Sequence, residues 1–268
     1  MTNKTKWSAQ IFIVLLYALG LKAYYSTASP DELRWILGPV TWLTALLSGR
    51  SFSFETHSGY MSSDHSFLIA ASCAGVNFLI TSFLMLTLNS LRKKRTVGVS
   101  WRFIPIAALS AYVATIVANT VRICIALELQ HHSPQISGLT ANQIHRIERI
   151  VVYFGFLLLL FVLTEDTRTG RNVWLKRSIF PLVIYYTTTL AMPFANGAYK
   201  QGLEFWEHSA FVLLLPLIVI LPFVVCGLVL KFGSFLFGRL TPARFMRCCD
   251  SLRLRSRFQL NNQSEPFR

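Results

Sequence analysis

Three side chains in this sequence belong to the types that do covalent or electrostatic chemistry, and they stand where such groups are costly. Cys73 lies in Ala71-Ser72-Cys73-Ala74-Gly75-Val76-Asn77-Phe78, Arg122 in Asn119-Thr120-Val121-Arg122, and His145 just ahead of an apolar run. An ionisable group in or beside a long hydrophobic block needs a reason to be there. A thiol becomes a nucleophile when a base or a positive charge favours its thiolate. An imidazole carries protons near neutral pH, and a guanidinium stays charged and can hold an oxyanion or a substrate carbonyl. Together the three are the parts of an acyl-transfer site: attack, protonation of the leaving group, and charge stabilisation. Asn77, one helical turn from Cys73, and Asn119, three residues before Arg122, occupy the faces from which a supporting amide would orient them.

The remaining candidates are weaker. Cys124 and Cys226 read as small packing residues in apolar blocks, and Cys248 and Cys249 sit in a basic tail. The cysteine spacing matches no zinc or redox motif. His57, His65, His131, His132 and His208 read as loop histidines. No carboxylate or cysteine stands at ligand spacing on a shared helix with them, so no metal or other cofactor is expected. Glu148 and Arg149 open the fourth apolar span, with Arg122 and Arg146 as charge neighbours.

The elements that must position these groups follow from composition. Of 268 residues 53% are hydrophobic and 14% charged, and the net charge is +14. A bilayer-crossing helix needs roughly 20 apolar residues. Six blocks meet or approach that length, at 9–26, 66–88, 103–127, 148–164, 178–195 and 209–230. A seventh, 35–47, is short and interrupted by Gly38-Pro39, which suits a re-entrant or interfacial segment. The first block reads as a retained helix rather than a cleaved signal. The expected fold is therefore all-α, a polytopic transmembrane bundle over 1–231, followed by a basic cytoplasmic tail over 232–268. The mixture of Phe, Leu and Arg in that tail suits lipid headgroups.

The basic residues are not spread as a nucleic-acid-binding surface would be. Nineteen of the 26 Lys and Arg fall at the N-terminus, in 89–102, in 165–177 and from Lys231 onward. A six-span chain with its N-terminus inside puts all of them on the cytoplasmic face, the bias that sets membrane orientation. In that orientation Cys73 lies roughly 10 Å below the outer end of its span, and Arg122 about 8 Å below the outer end of the next. His145 stands at the outer mouth of the fourth. None of the three entered the orientation argument, yet all fall in one shallow layer.

On these motifs the chain resembles the exosortase/archaeosortase family. The resemblance rests on Ser72-Cys73-Ala74-Gly75, on Asn119-x-x-Arg122, and on His145 ahead of an apolar span with Gly155. It covers residues 34–164. Leu37-Gly38-Pro39, Gly59-Tyr60 and Ser72 to Phe78 look most like the exosortase K subgroup. The chain has Ala74 where many members have serine, which leaves the nucleophile intact.

The resemblance implies a membrane cysteine protease/transpeptidase with Cys73 as nucleophile and Arg122 and His145 completing the site. It further implies exported substrate proteins that end in a short motif, a hydrophobic helix and a basic tail. These would be cleaved at the outer face of the cell (inner) membrane, with both termini of the enzyme cytoplasmic. Membrane lipids are the other expected partner, and nucleic acid is not expected. A reading from another class makes the chain a non-enzymatic transporter or envelope assembly factor, with Arg122 as a binding charge.

Overall fold

The computed structural model describes residues 3–93, 100–132, 140–165, 172–195, 200, 202 and 205–222. The chain falls into two compact units, 1–220 and 221–268, and everything below concerns the first. The order of elements is α1 (Asn3–Thr27), α2 (Arg34–Ser48), β1 (Phe52–Glu55), β2 (Gly59–Ser62), β3 (Leu68–Ile69), a 3-10 turn (Ala71–Cys73), α3 (Val76–Lys93), α4 (Phe103–His132) and α5 (Ala141–Thr164). The described residues continue through α6 (Asn172–Tyr186), a π-helical turn (Thr187–Ala191) and α7 (Met192–Ala195) to α8 (Phe205–Pro222).

Among the described residues five stretches are helical, long and apolar enough to cross a membrane: Thr5–Thr27, Ala71–Lys93, Phe103–Gln130, Asn142–Thr164 and Phe205–Pro222. This is the composition of a multi-pass membrane protein, and the outward residues agree with it: Phe12, Leu16, Ile106, Leu109 and Leu163 are all exposed. The expected fifth span is shorter, since its apolar helix runs from Ile179 to Ala191 and is broken by the π-helical turn. There the Thr187, Thr188 and Thr189 hydroxyls donate to the carbonyls of Val183, Ile184 and Tyr185.

Helix α3 is the axis of the bundle. Phe78, Leu79, Ile80, Phe83, Met85 and Leu86 are buried on its successive faces, and it packs against α1, α4, α5 and α6. At its C-terminal end Lys93 pairs with the buried Glu165 at 2.6 Å, fastening α3 to the end of α5. The expected basic segment around Lys94 and Arg95, Cys226, Cys248, Cys249 and the basic tail lie outside the described residues.

The segment 35–47 is a regular helix. Pro39 lies inside α2 and has no N–H to offer the carbonyl four residues back. That carbonyl, of Trp35, instead accepts the Tyr112 hydroxyl at 2.7 Å, so α4 supplies the hydrogen bond that proline removes. Between α2 and α3 the chain forms a three-stranded antiparallel sheet in the order β1-β2-β3. Tyr60 pairs with Ile69, and Glu55 with Gly59. Gly59 has φ +121 and a Cβ there would stand 2.4 Å from the Ile69 carbonyl oxygen, so β2 and β3 meet this closely only at glycine.

Candidate functional site

The sheet delivers the chain to Cys73. After β3 the backbone makes a single 3-10 turn, with the Cys73 N–H donating to the Ala70 carbonyl at 2.8 Å. Gly75 then adopts φ +71, which L side chains rarely do, and α3 begins at Val76. Cys73 is therefore not seven residues deep in a helix. It stands just ahead of a helix N-terminus, half-buried, and a rise per residue cannot be used to set its depth. For the same reason Asn77 does not share a helical face with it.

Asn119 joins the pieces from α4. Its Nδ2 donates to the Cys73 carbonyl oxygen. Its Oδ1 accepts from Arg122 Nε at 3.0 Å and from the Tyr153 hydroxyl at 2.8 Å. The amide oxygen thus uses both lone pairs, and Asn119 is fully buried. Arg122, only 5% exposed, lies close enough to the Cys73 side chain to interact with it. Its guanidinium also sits 5.9 Å from the Tyr153 ring centroid. Tyr153 is in turn stacked on Phe78 of α3 at 5.0 Å. Gly75 fits into this knot: a Cβ there would stand 3.3 Å from each of Asn119, Thr115 and Tyr153.

His145 is placed differently from expectation. A capping box starts α5 at Ala141, the Thr140 hydroxyl accepting from Gln143 N and the Gln143 side chain accepting from Thr140 N. His145 is thus within the helix rather than at its mouth. Its Nδ1 lies 3.1 Å from Glu148 Oε2, and its side chain is 51% exposed while that of Glu148 is 5% exposed. The second oxygen, Oε1, has no hydrogen-bond partner. A buried carboxylate in that condition is costly unless cations surround it, and Arg122, His145 and Arg149 do. His145 makes no hydrogen bond to Cys73; it joins the cluster through Glu148.

The other expected groups divide. Asn77 serves a different partner, its Oδ1 accepting from Lys22 Nζ at 2.8 Å. Cys124 lies elsewhere on α4, half-buried. Three residues that the sequence reading passed over take part: Tyr153, Lys22 and Tyr25, whose hydroxyl points to the Ala71 carbonyl at 3.4 Å. A tyrosine inside an apolar run was the available signal for Tyr153, since a buried phenol needs a hydrogen-bond partner.

Fold and site together define a multi-pass helical membrane protein in which a thiol, a guanidinium and a buried amide meet at one end of the bundle. Comparison of the chain with protein-family models, with curated proteins and with solved structures finds no match.

Proposed function

We propose that this chain is an exosortase-like membrane cysteine protease/transpeptidase, acting at the extracytoplasmic face on exported proteins that carry a C-terminal motif, an apolar helix and a basic tail. The observation that carries the reading is the Asn119 junction. One buried amide fixes the backbone of the thiol and the guanidinium beside it.

The chemistry follows from those positions. The Cys73 thiolate attacks the carbonyl carbon of the scissile peptide bond, with Arg122 providing the positive charge next to the sulfur. Arg122 then stabilises the tetrahedral oxyanion. As the C–N bond breaks, His145, held at Nδ1 by Glu148, gives its proton to the leaving amine. This task lies at the leaving group and requires no contact between His145 and the sulfur. The acyl group remains on Cys73 as a thioester. Water or an acceptor amine attacks it, its proton passes to His145, and the thiolate is released.

The test is an exported reporter fused to the C-terminal motif–helix–basic tail of a protein encoded beside this chain's gene, co-produced with the chain and followed on a gel. The full chain converts the reporter, and Cys124→Ala converts it as well. Cys73→Ala, at an equal level in the membrane, does not. Conversion by Cys73→Ala would remove the enzymatic reading and leave the non-enzymatic one, with Arg122 as a binding charge.

A further inference from the structure

Beside the Cys73 turn lies a cavity of ≈ 220 Å³ between α1, α3, α5, α8 and the π-helical turn. Its polar lining is one-sided. Lys22 and Arg149 both face it, and none of its lining residues is Asp or Glu. Among the described residues neither cation has a carboxylate within ion-pair distance. Lys22 donates to Asn77 Oδ1, a neutral partner that uses one of its three N–H bonds and leaves the Asn77 Nδ2 group as a further donor. The threonine hydroxyls of the wall donate to helix carbonyls or to each other. The charged groups of the lining are thus both basic, and Glu148, the carboxylate that Arg149 helps to neutralise, is not part of it.

Lys22 is half-buried and Arg149 exposed, and a positive lining beside a membrane-spanning helix is matched by an anion that enters it. The lining also has an apolar part, with Val76, Ile80, Ile150 and Val212. The chemistry asked for is an amphiphile with an oxyanion head and a hydrocarbon continuation along the helices. A carboxylate on a polar peptide offers the head without the tail.

We infer that this cavity is a binding site for the phosphate of a membrane phospholipid, held by Lys22 and Arg149 with the Asn77 amide. Basic pockets between transmembrane helices bind lipid headgroups in this way. The assignment concerns binding alone and stands whether or not Cys73 is a nucleophile.

The experiment is native mass spectrometry of the full chain in detergent, titrated with dioleoylphosphatidylglycerol, with dioleoylglycerol as the same chains without phosphate. The chain retains the phospholipid and not the diacylglycerol. Arg149→Gln, at an exposed side chain, weakens retention several-fold. Adding Lys22→Gln brings the loss to about tenfold or more. Arg146→Gln, a loss of the same charge on the same helix but outside the cavity, leaves retention unchanged. The charge-conserving Lys22→Arg keeps binding and separates loss of the site from loss of fold. Equal retention by the wild-type chain and Arg149→Gln would overturn the site. So would equal loss in Arg146→Gln, which would mean surface electrostatics only. If inorganic phosphate or a glutamate-containing peptide displaced the lipid at equal concentration, the site would be one for a free anion or a peptide carboxylate, and the lipid assignment would fall.

Discussion

The Asn119 amide nitrogen donates to the carbonyl oxygen of Cys73, a residue 46 positions earlier in the chain. Through its oxygen the same amide holds Arg122 and Tyr153. The position of the thiol is thus set by α4, although the thiol itself belongs to the turn before α3.

Asn119→Ala leaves a buried guanidinium N–H and a buried phenol without their acceptor. Each unsatisfied buried group costs about 1–3 kcal/mol, so the variant unfolds several degrees lower in detergent. Maleimide modification of Cys73, followed in a background where the other cysteines are serine, changes rate as the turn loosens. Unchanged stability and unchanged labelling would mean that the amide does not organise the site.

Gly75→Ala tests the backbone. Its φ of +71 costs an L residue about 1–2 kcal/mol, and the added methyl presses on Asn119, Thr115 and Tyr153. The variant loses both stability and reporter conversion. Gly155→Ala is the control: a Cβ there meets nothing within 4 Å, and alanine within a helix is favoured by about 0.5–1 kcal/mol. Equal effects from the two would contradict the role given to the turn.

Arg122→Lys separates a planar donor from a charge. Were Arg122 only reaching toward the membrane surface, lysine would replace it at little cost. Holding an oxyanion needs the guanidinium fork, and loss of one such donor costs about a hundred- to a thousandfold in rate. Arg122→Lys inserts normally and loses most reporter conversion, with Arg122→Ala at least as impaired. Wild-type rates from the lysine variant would remove Arg122 from the chemistry. A collapse in protein level would point instead to a structural ion pair with Glu148.

Orientation is tested by cysteine labelling in intact cells. The charge asymmetry puts position 95 inside, so Arg95→Cys is protected from an impermeant maleimide. The same asymmetry predicts Ser58, exposed on the hairpin between β1 and β2, on the opposite face, with Ser58→Cys labelled. Labelling of position 95 would overturn the orientation.

Most of the helical architecture was legible because block length and composition alone determine what can cross a bilayer. The two local errors share a cause. Residues 66–75 are apolar enough to read as the start of a helix, yet Gly75 in a left-handed conformation stops α3 from extending back to Cys73. Residues 140–147 are polar enough to read as loop, yet Thr140 and Gln143 form a capping box that starts α5 two turns earlier. Both signals were present, as a glycine in a hydrophobic run and a Thr-x-x-Gln spacing. The sheet was harder: strands of two to four residues carry almost no periodicity, and only tertiary contact between Gly59 and Ile69 defines their register. Cys73 and Arg122 lie near each other, but the depth argument that expected this counted Cys73 as α-helical, which it is not. The amide that joins them was named as a supporting residue for Arg122, and its bond to the Cys73 backbone is a product of helix packing that no spacing encodes.

The central claim is that Cys73 takes on the acyl group of its substrate. The direct measurement is peptide mass mapping of the chain after acid quench during conversion of the reporter. The account predicts the N-terminal fragment of the reporter joined to Cys73 as a thioester, released by hydroxylamine and absent from Cys73→Ala. Continued conversion by Cys73→Ala, or turnover by the wild-type chain with Cys73 free in every quenched sample, would contradict it.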